Sequence, residues 1–150
     1  MISVTSEYAL RAMASITSMI SYTSPEEGES VLARDLSLKA GVPFNYLSKI
    51  LGSMTKAGIL HASRGRGGGY RLARPAKQIF LIDVVEIFDG IRARPDCLFG
   101  GNRGCSDDNP CSAHTSFKKV RRKYIEFLEK TTIAKIAGPP AVDGAPAGEF

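Results

Sequence analysis

The chain has no tryptophan, two histidines and only three cysteines in 150 residues. Two histidines leave little for acid–base chemistry near neutral pH. No nucleophile, base and orienting group converge in the sequence, so neither an enzyme nor a small-molecule substrate is indicated. An odd number of cysteines without an export signal argues against a disulfide framework. No basic stretch followed by an apolar run opens the chain, so no signal peptide is predicted. The most apolar stretch, residues 79–88, is interrupted by Asp83 and Glu86 and is too short and too charged to cross a bilayer. These absences predict a soluble cytoplasmic protein with no membrane partner. There is no internal repeat, and 43% hydrophobic residues suffice for one packed domain with an appended arm.

The placement of charge is more informative than the net value of +5. Between positions 43 and 77 there are seven Lys or Arg residues and no Asp or Glu. A solvated face normally mixes both signs. A one-sided basic segment is the footprint of a phosphate-binding surface.

Helical spacing of Ala9, Ala12, Met13, Ile16, Met19 and Ile20 predicts a first helix over 5–20, with Ser3 or Thr5 as N-cap. Pro25, Gly28 and three glutamates make 23–30 a loop. A short helix over 33–40 should end at Gly41, followed by a helix from Pro43 to about position 57. Phe44, Leu47, Ile50, Leu51 and Met54 form the apolar face of that second helix. Strands are expected over 59–63 and 70–73, joined by the glycine-dense turn Arg64-Gly-Arg-Gly-Gly-Gly69. A helix over 79–88 stops at Gly90. After the irregular stretch 92–114 comes a helix over 116–130 with an apolar stripe of Phe117, Val120, Tyr124, Phe127 and Leu128. A last helical turn falls at 132–136, and the Pro- and Gly-rich tail from 138 to 150 reads as disordered.

The expected fold class is mainly α with a small β-hairpin wing: a winged helix-turn-helix plus a long C-terminal helix. Residues 1–90 would form the DNA-binding domain, 91–115 the cysteine-rich loop, 116–137 the long C-terminal helix and terminal turn, to which a family resemblance assigns dimerisation, and 138–150 the tail. On the recognition helix, Asn45 and Ser48 could reach base edges of double-stranded DNA, while Tyr46, Lys49 and Lys56 could anchor on phosphates. The wing adds Arg64, Arg66 and Arg71, with Arg74 just beyond. A nucleotide-cradling glycine loop would need a following Lys-Ser/Thr and a βαβ setting, and both are missing. His61 reads as a half-exposed strand residue.

The cysteines follow the pattern Cys97-x7-Cys105-x5-Cys111-x2-His114. Three soft thiolates and an imidazole within 18 residues of a flexible loop predict a metal site. Spacing leaves two chemistries open: a structural Cys₃His zinc site, or an iron–sulphur cluster.

Several segments resemble one family of bacterial winged-helix regulators, the one that includes IscR, NsrR, RirA and CymR. They are Thr5-Ser-Glu-Tyr-Ala-Leu-Arg-Ala12, Gly41-Val-Pro-Phe-Asn-Tyr-Leu-Ser48, Arg64-Gly-Arg-Gly-Gly-Gly-Tyr-Arg-Leu72, Ile82-Asp-Val-Val85 and the cysteine triad. The resemblance spans positions 1–137. It implies a homodimeric transcription regulator, a repressor, bound to a near-palindromic operator. The 116–130 helices would pair through Phe117, Val120, Tyr124 and Leu128. The cations Lys118, Lys119, Arg121, Arg122 and Lys123 on that helix read mainly as a solvated face. The resemblance also implies sensing of iron, redox state or nitric oxide through a cluster on Cys97, Cys105 and Cys111. In a 2Fe–2S site, the favoured form, His114 is the fourth ligand. In a 4Fe–4S site that place is taken by Glu7 from the first helix of the partner subunit. The x7 gap between the first two cysteines resembles that of the iron regulators.

Overall fold

The computed structural model describes residues 2–20, 29–98 and 105–138. Most of the loop predicted at 23–30, part of the cysteine loop and the tail beyond 138 lie outside the described residues. Six helices and one hairpin are described, in the order α1 (Val4–Met19), α2 (Ala33–Ala40), α3 (Phe44–Lys56), β1 (Leu60–Ser63), β2 (Gly69–Leu72), α4 (Leu81–Asp89), α5 (His114–Lys130) and α6 (Ile133–Ala137). This is the expected mainly helical fold with a two-stranded antiparallel wing.

Helix α1 is the central strut. Ala9, Ala12, Met13 and Ile16 recur at three- and four-residue spacing and are fully buried. They meet α2, α3, α4 and α6. Ser3 caps the helix by accepting from the Ser6 N–H at 3.2 Å. Gly41 ends α2 in the left-handed conformation, φ 64°, and leads directly into α3. Leu47, Ile50, Leu51 and Met54 anchor α3 in the core. Phe44 departs from the expected apolar face. It lies in the first turn, is half exposed, and its ring is not part of the core.

In the wing, Leu60 pairs with Leu72, His61 with Arg71, Ala62 with Tyr70 and Ser63 with Gly69. His61 is exposed. Val31 adds a short third rung, exchanging two backbone hydrogen bonds of 2.8 Å with Tyr70.

The C-terminal helices return to the same core. Leu128 and Ile133 are buried with α1 and α4. Backbone bonds run from Leu81 N–H to Thr131 O at 2.9 Å and from Ile133 N–H to Ile79 O at 2.8 Å. The α5 stripe is therefore split. Leu128 is 1% exposed and belongs to its own subunit's core, whereas Val120 and Phe127 are 56% and 52% exposed. The predicted pairing stripe loses Leu128 for this reason, and Tyr124 also leans on the core.

Asp89 locks α4 to the start of α1. Its side chain is 2% exposed and accepts from Ser6 Oγ at 2.6 Å and Ser3 N–H at 2.9 Å. Burial alone would raise its pKa. The Ser6 and Ser3 hydrogen bonds, with the Arg94 charge, outweigh burial and hold the carboxyl below its ordinary range. Stability from a depressed carboxyl is present above the unfolded pKa and is lost as pH falls through the lower folded value. Asp89→Ala should cost about 2–3 kcal/mol at pH 7, because two donors at the head of α1 lose a buried acceptor. Urea melts at pH 7 and pH 3 check this, and the gap between wild type and variant should shrink at the acidic end.

Candidate nucleic-acid interface and cysteine site

The basic segment maps onto α3 and the wing. Asn45 and Lys49 are exposed on the first half of α3, and Lys56 is exposed in its last turn. Arg64 and Arg66 are exposed at the wing tip. None of Lys49, Lys56, Arg64 or Arg66 forms an ion pair among the described residues, so their charge is unspent. Arg71 is partly buried within β2. Arg74 is committed elsewhere. It pairs with Asp83 at 2.9 Å and donates to Gln78 O, fastening the wing to α4. Ser48 donates its hydroxyl proton to Phe44 O at 3.0 Å, which leaves that oxygen as an acceptor.

Tyr46 is the joint between α3 and α1. Its hydroxyl is 2.9 Å from Thr5 Oγ1, and its ring meets the Tyr8 ring edge-on at 5.6 Å. The Arg11 guanidinium lies 5.8 Å from the Tyr8 ring centre and pairs with Glu7 at 2.9 Å. Glu7 itself is half exposed.

The cysteine site stands at the head of α5. The Cys111–His114 turn closes through His114 N–H to Cys111 O at 3.0 Å. Cys97 and His114 are buried, and Cys105 and Cys111 are partly buried. Cys105 Sγ lies 3.2 Å from His114 Nδ1 and 3.5 Å from the Cys111 N–H. That N–H is the largest influence on Cys105 and favours the thiolate. Lost hydration and the adjoining Cys111 and Cys97 thiols outweigh it and push the pKa up. A bound cation would relieve this at Cys105, which would ligate as thiolate. Soft sulphur donors and one imidazole fit an iron–sulphur group. Among the described residues, no three His, Cys, Asp or Glu side chains are grouped tightly enough for a single metal ion.

Two α5 cations expected on a solvated face instead hold this loop. Arg121, 14% exposed, pairs with Asp96 next to Cys97 and donates to Ile91 O at 2.6 Å and Arg94 O at 2.7 Å. Lys118 donates to both oxygens of Asp107, at 2.6 and 2.8 Å. Lys118, then His114, draws the Asp107 carboxyl below its ordinary range. Periodicity carried a clue to Arg121. At 100° per residue it falls on the side of Phe117, Tyr124 and Leu128, with Val120 and Phe127 roughly 100–120° away from it.

Residues 2–139 match the family Rrf2, described as an iron-dependent transcriptional regulator. A Rhizobium meliloti (strain 1021) protein named aau3 is 37% identical over 93 residues, spanning 62% of this chain and 60% of its own length. A Mycobacterium tuberculosis protein named for an HTH-type transcriptional regulator is 34% identical over 91% of this chain and 80% of its own. The transcriptional regulator IscR of Yersinia pestis is 27% identical over 81% of this chain and 73% of its own. Among solved structures, B. subtilis CymR superposes with a TM-score of 0.73 at 20% identity, covering 91% of this chain and 95% of that one. T. potens IscR gives 0.68 at 23% identity, covering 91% and 85%. At those identities the structural likeness shows the shared fold.

Proposed function

The chain belongs to the Rrf2 family of iron-dependent transcriptional regulators, and from that membership we propose that it is a homodimeric operator-binding repressor controlled by a 2Fe–2S cluster on Cys97, Cys105, Cys111 and His114. The observation that carries the reading is Cys105 Sγ at the head of α5, 3.2 Å from His114 Nδ1 and 3.5 Å from the Cys111 N–H. When bound, such a cluster supplies a centre that is altered by oxidation, iron loss or nitric oxide.

This chain's own residues offer a route from that centre to DNA. Cys97 follows Asp96, which Arg121 grips together with the Arg94 carbonyl. The Arg94 side chain meets Asp89, and Asp89 holds Ser3 and Ser6 at the start of α1. Thr5, in the same turn, meets Tyr46 of the recognition helix α3. A shift of the loop therefore bears on α3 through contiguous polar contacts.

In the operator complex Asn45 and Ser48 read base edges, Ser48 as an acceptor facing adenine or cytosine amino groups. Tyr46, Lys49, Lys56, Arg64, Arg66 and Arg71 hold the backbone. Arg64→Ala and Arg66→Ala should weaken binding to all sequences alike, and each should lower the salt-dependence slope by about 0.9. Asn45→Ala and Ser48→Ala should relax base preference by about 1–3 kcal/mol at their positions. Salt-titrated binding to operator and scrambled duplexes separates the two classes. Unchanged affinity in all four variants would refute the interface.

Dimerisation uses the exposed flank of α5, Val120 and Phe127. A glutamate at both positions should yield a folded monomer by sedimentation, with operator affinity down by roughly 100-fold or more once the second half-site contact is lost.

The deciding experiment is anaerobic purification with a visible spectrum and iron, sulphide and zinc assays. A brown protein with stoichiometric iron and sulphide supports the cluster. Its band shape distinguishes 2Fe–2S from a 4Fe–4S form completed by Glu7 of the partner subunit. A colourless protein holding about one zinc per chain would replace the cluster by a structural Cys₃His site.

A further inference from the structure

The imidazole of His114 is 8% exposed and has a polar partner at each nitrogen. Nε2 lies 2.9 Å from Asp107 Oδ1, and Nδ1 lies 3.2 Å from Cys105 Sγ. The same Asp107 carboxylate takes both Lys118 contacts. A carboxylate already accepting from an ammonium offers no proton, so Nε2 must carry the hydrogen and donate. Neutral imidazole has a single N–H. Nδ1 is therefore left as a bare lone pair, to which the Cys105 thiol donates. The two contacts also set the ring's orientation, because a flipped ring would present carbon to both partners.

Asp107 is 72% exposed, and an ordinary solvent-facing pair with Lys118 would contribute little. What sets it apart is that one of its oxygens is shared between Lys118 and a buried histidine. A ring nitrogen that binds a metal commonly has its other nitrogen tied to a carboxylate, which selects the tautomer and raises the basicity of the ligand.

Resting on the cluster reading above, we propose that Asp107, braced by Lys118, is a positioning residue that commits His114 to ligate through Nδ1. Asp107 touches no reacting atom. It acts by aiming the ring and by placing the proton on Nε2. Neither the cysteine spacing nor the His114 position conveys this, since Asp107 lies seven residues before the histidine and Lys118 four residues after it.

The test uses the full chain, reconstituted anaerobically with ferrous iron and sulphide, as wild type, Asp107→Ala, Asp107→Glu and Lys118→Gln. Far-UV circular dichroism checks that each folds, and the exposure of Asp107 leaves little to lose. The first readout is the rate of iron release to a ferrous chelator. The second is the ¹⁵N-histidine hyperfine coupling of the reduced protein by pulsed EPR, which a merely structural role would not change. Asp107→Ala should release iron roughly 10–100-fold faster and change or lose the histidine coupling. Lys118→Gln should fall between it and wild type, and Asp107→Glu should recover most of the wild-type behaviour.

Wild-type protein that holds the cluster with a histidine coupling, beside an Asp107→Ala variant matching it in both readouts, overturns the positioning role alone. A coupling assigned to Nε2 does the same. Wild-type protein that takes up no iron and sulphide overturns the cluster reading, and this inference with it.

Discussion

Cys105→Ser should take up less than roughly one-tenth of the iron and sulphide that wild type does, because loss of one thiolate opens the ligand set. Cys105 is the hub of the site, adjoining His114 Nδ1, the Cys111 N–H and the Cys97 and Cys111 thiols. Being partly exposed, it contributes little to packing, and apoprotein stability should change by less than about 1 kcal/mol. Cys97→Ser should fail equally in cluster uptake but also lower stability, since Cys97 is 6% exposed and would bury a hydroxyl. The functional consequence follows from linkage. If the cluster sets DNA affinity, loaded and cluster-free wild type should differ by at least about tenfold in operator Kd, or about 1.4 kcal/mol. The serine variant should show one affinity under every redox condition. Iron, sulphide and anisotropy measurements on the same preparation decide it. A Cys105→Ser protein that still responds to iron or nitric oxide would remove the cysteines from the sensing mechanism.

Gly69→Ala should strongly destabilise the wing. Gly69 adopts φ 141°, and a Cβ there would stand 2.6 Å from the Val31 carbonyl oxygen and 2.8 Å from its carbon. Backbone rather than a yielding side chain blocks the space, so β2 must move away from Val31. The two Val31–Tyr70 hydrogen bonds would be lost with it. Backbone strain and those bonds together amount to about 2–4 kcal/mol. The displaced wing should carry Arg64 and Arg66 off the DNA, weakening operator binding by at least roughly tenfold. Gly67→Ala is the control. Its φ is 70°, but a Cβ there meets nothing within 4 Å, so only the intrinsic left-handed penalty of about 1–2 kcal/mol applies. Equal stability losses in the two variants, by urea melts, would show that the Val31 rung is unimportant.

The parts of this fold legible in the sequence are those written in local periodicity and turn chemistry. Ala9, Ala12, Met13 and Ile16 announce α1. Gly41 and Gly90 stop α2 and α4 as expected. The arginine-bearing glycine turn marks the wing. What stayed hidden depends on partners far along the chain. Asp89 meets Ser3 and Ser6 from more than eighty positions away. Arg121 answers carbonyls 27 and 30 residues earlier. A charged residue in a run of cations looks solvated unless its angular position is compared with that of the buried Leu128. The split of the α5 stripe has the same origin. Val120 and Leu128 are both apolar, and only the packing of α4 decides which of them faces inward. At the cysteine site, spacing pointed to candidate sulphur and nitrogen donors, but Asp107 and Lys118 belong to no motif. They become visible only once the loop is folded back against α5.

The return of α5 and α6 to the core bears on how the protein is made. Leu128 and Ile133 complete the apolar cluster around α1, and Thr131 and Ile133 pair with the backbone just before α4. Synthesis runs from the N-terminus, so α1 to α4 emerge with this side of their core uncovered. Ile133 is added only after Cys97, Cys105, Cys111 and His114. The DNA-reading surface thus reaches its final packing no earlier than the moment at which every candidate ligand of the chain exists. A nascent chain lacking its last turns would hold the loop through Lys118 and Arg121 but leave this side of the α1 core open.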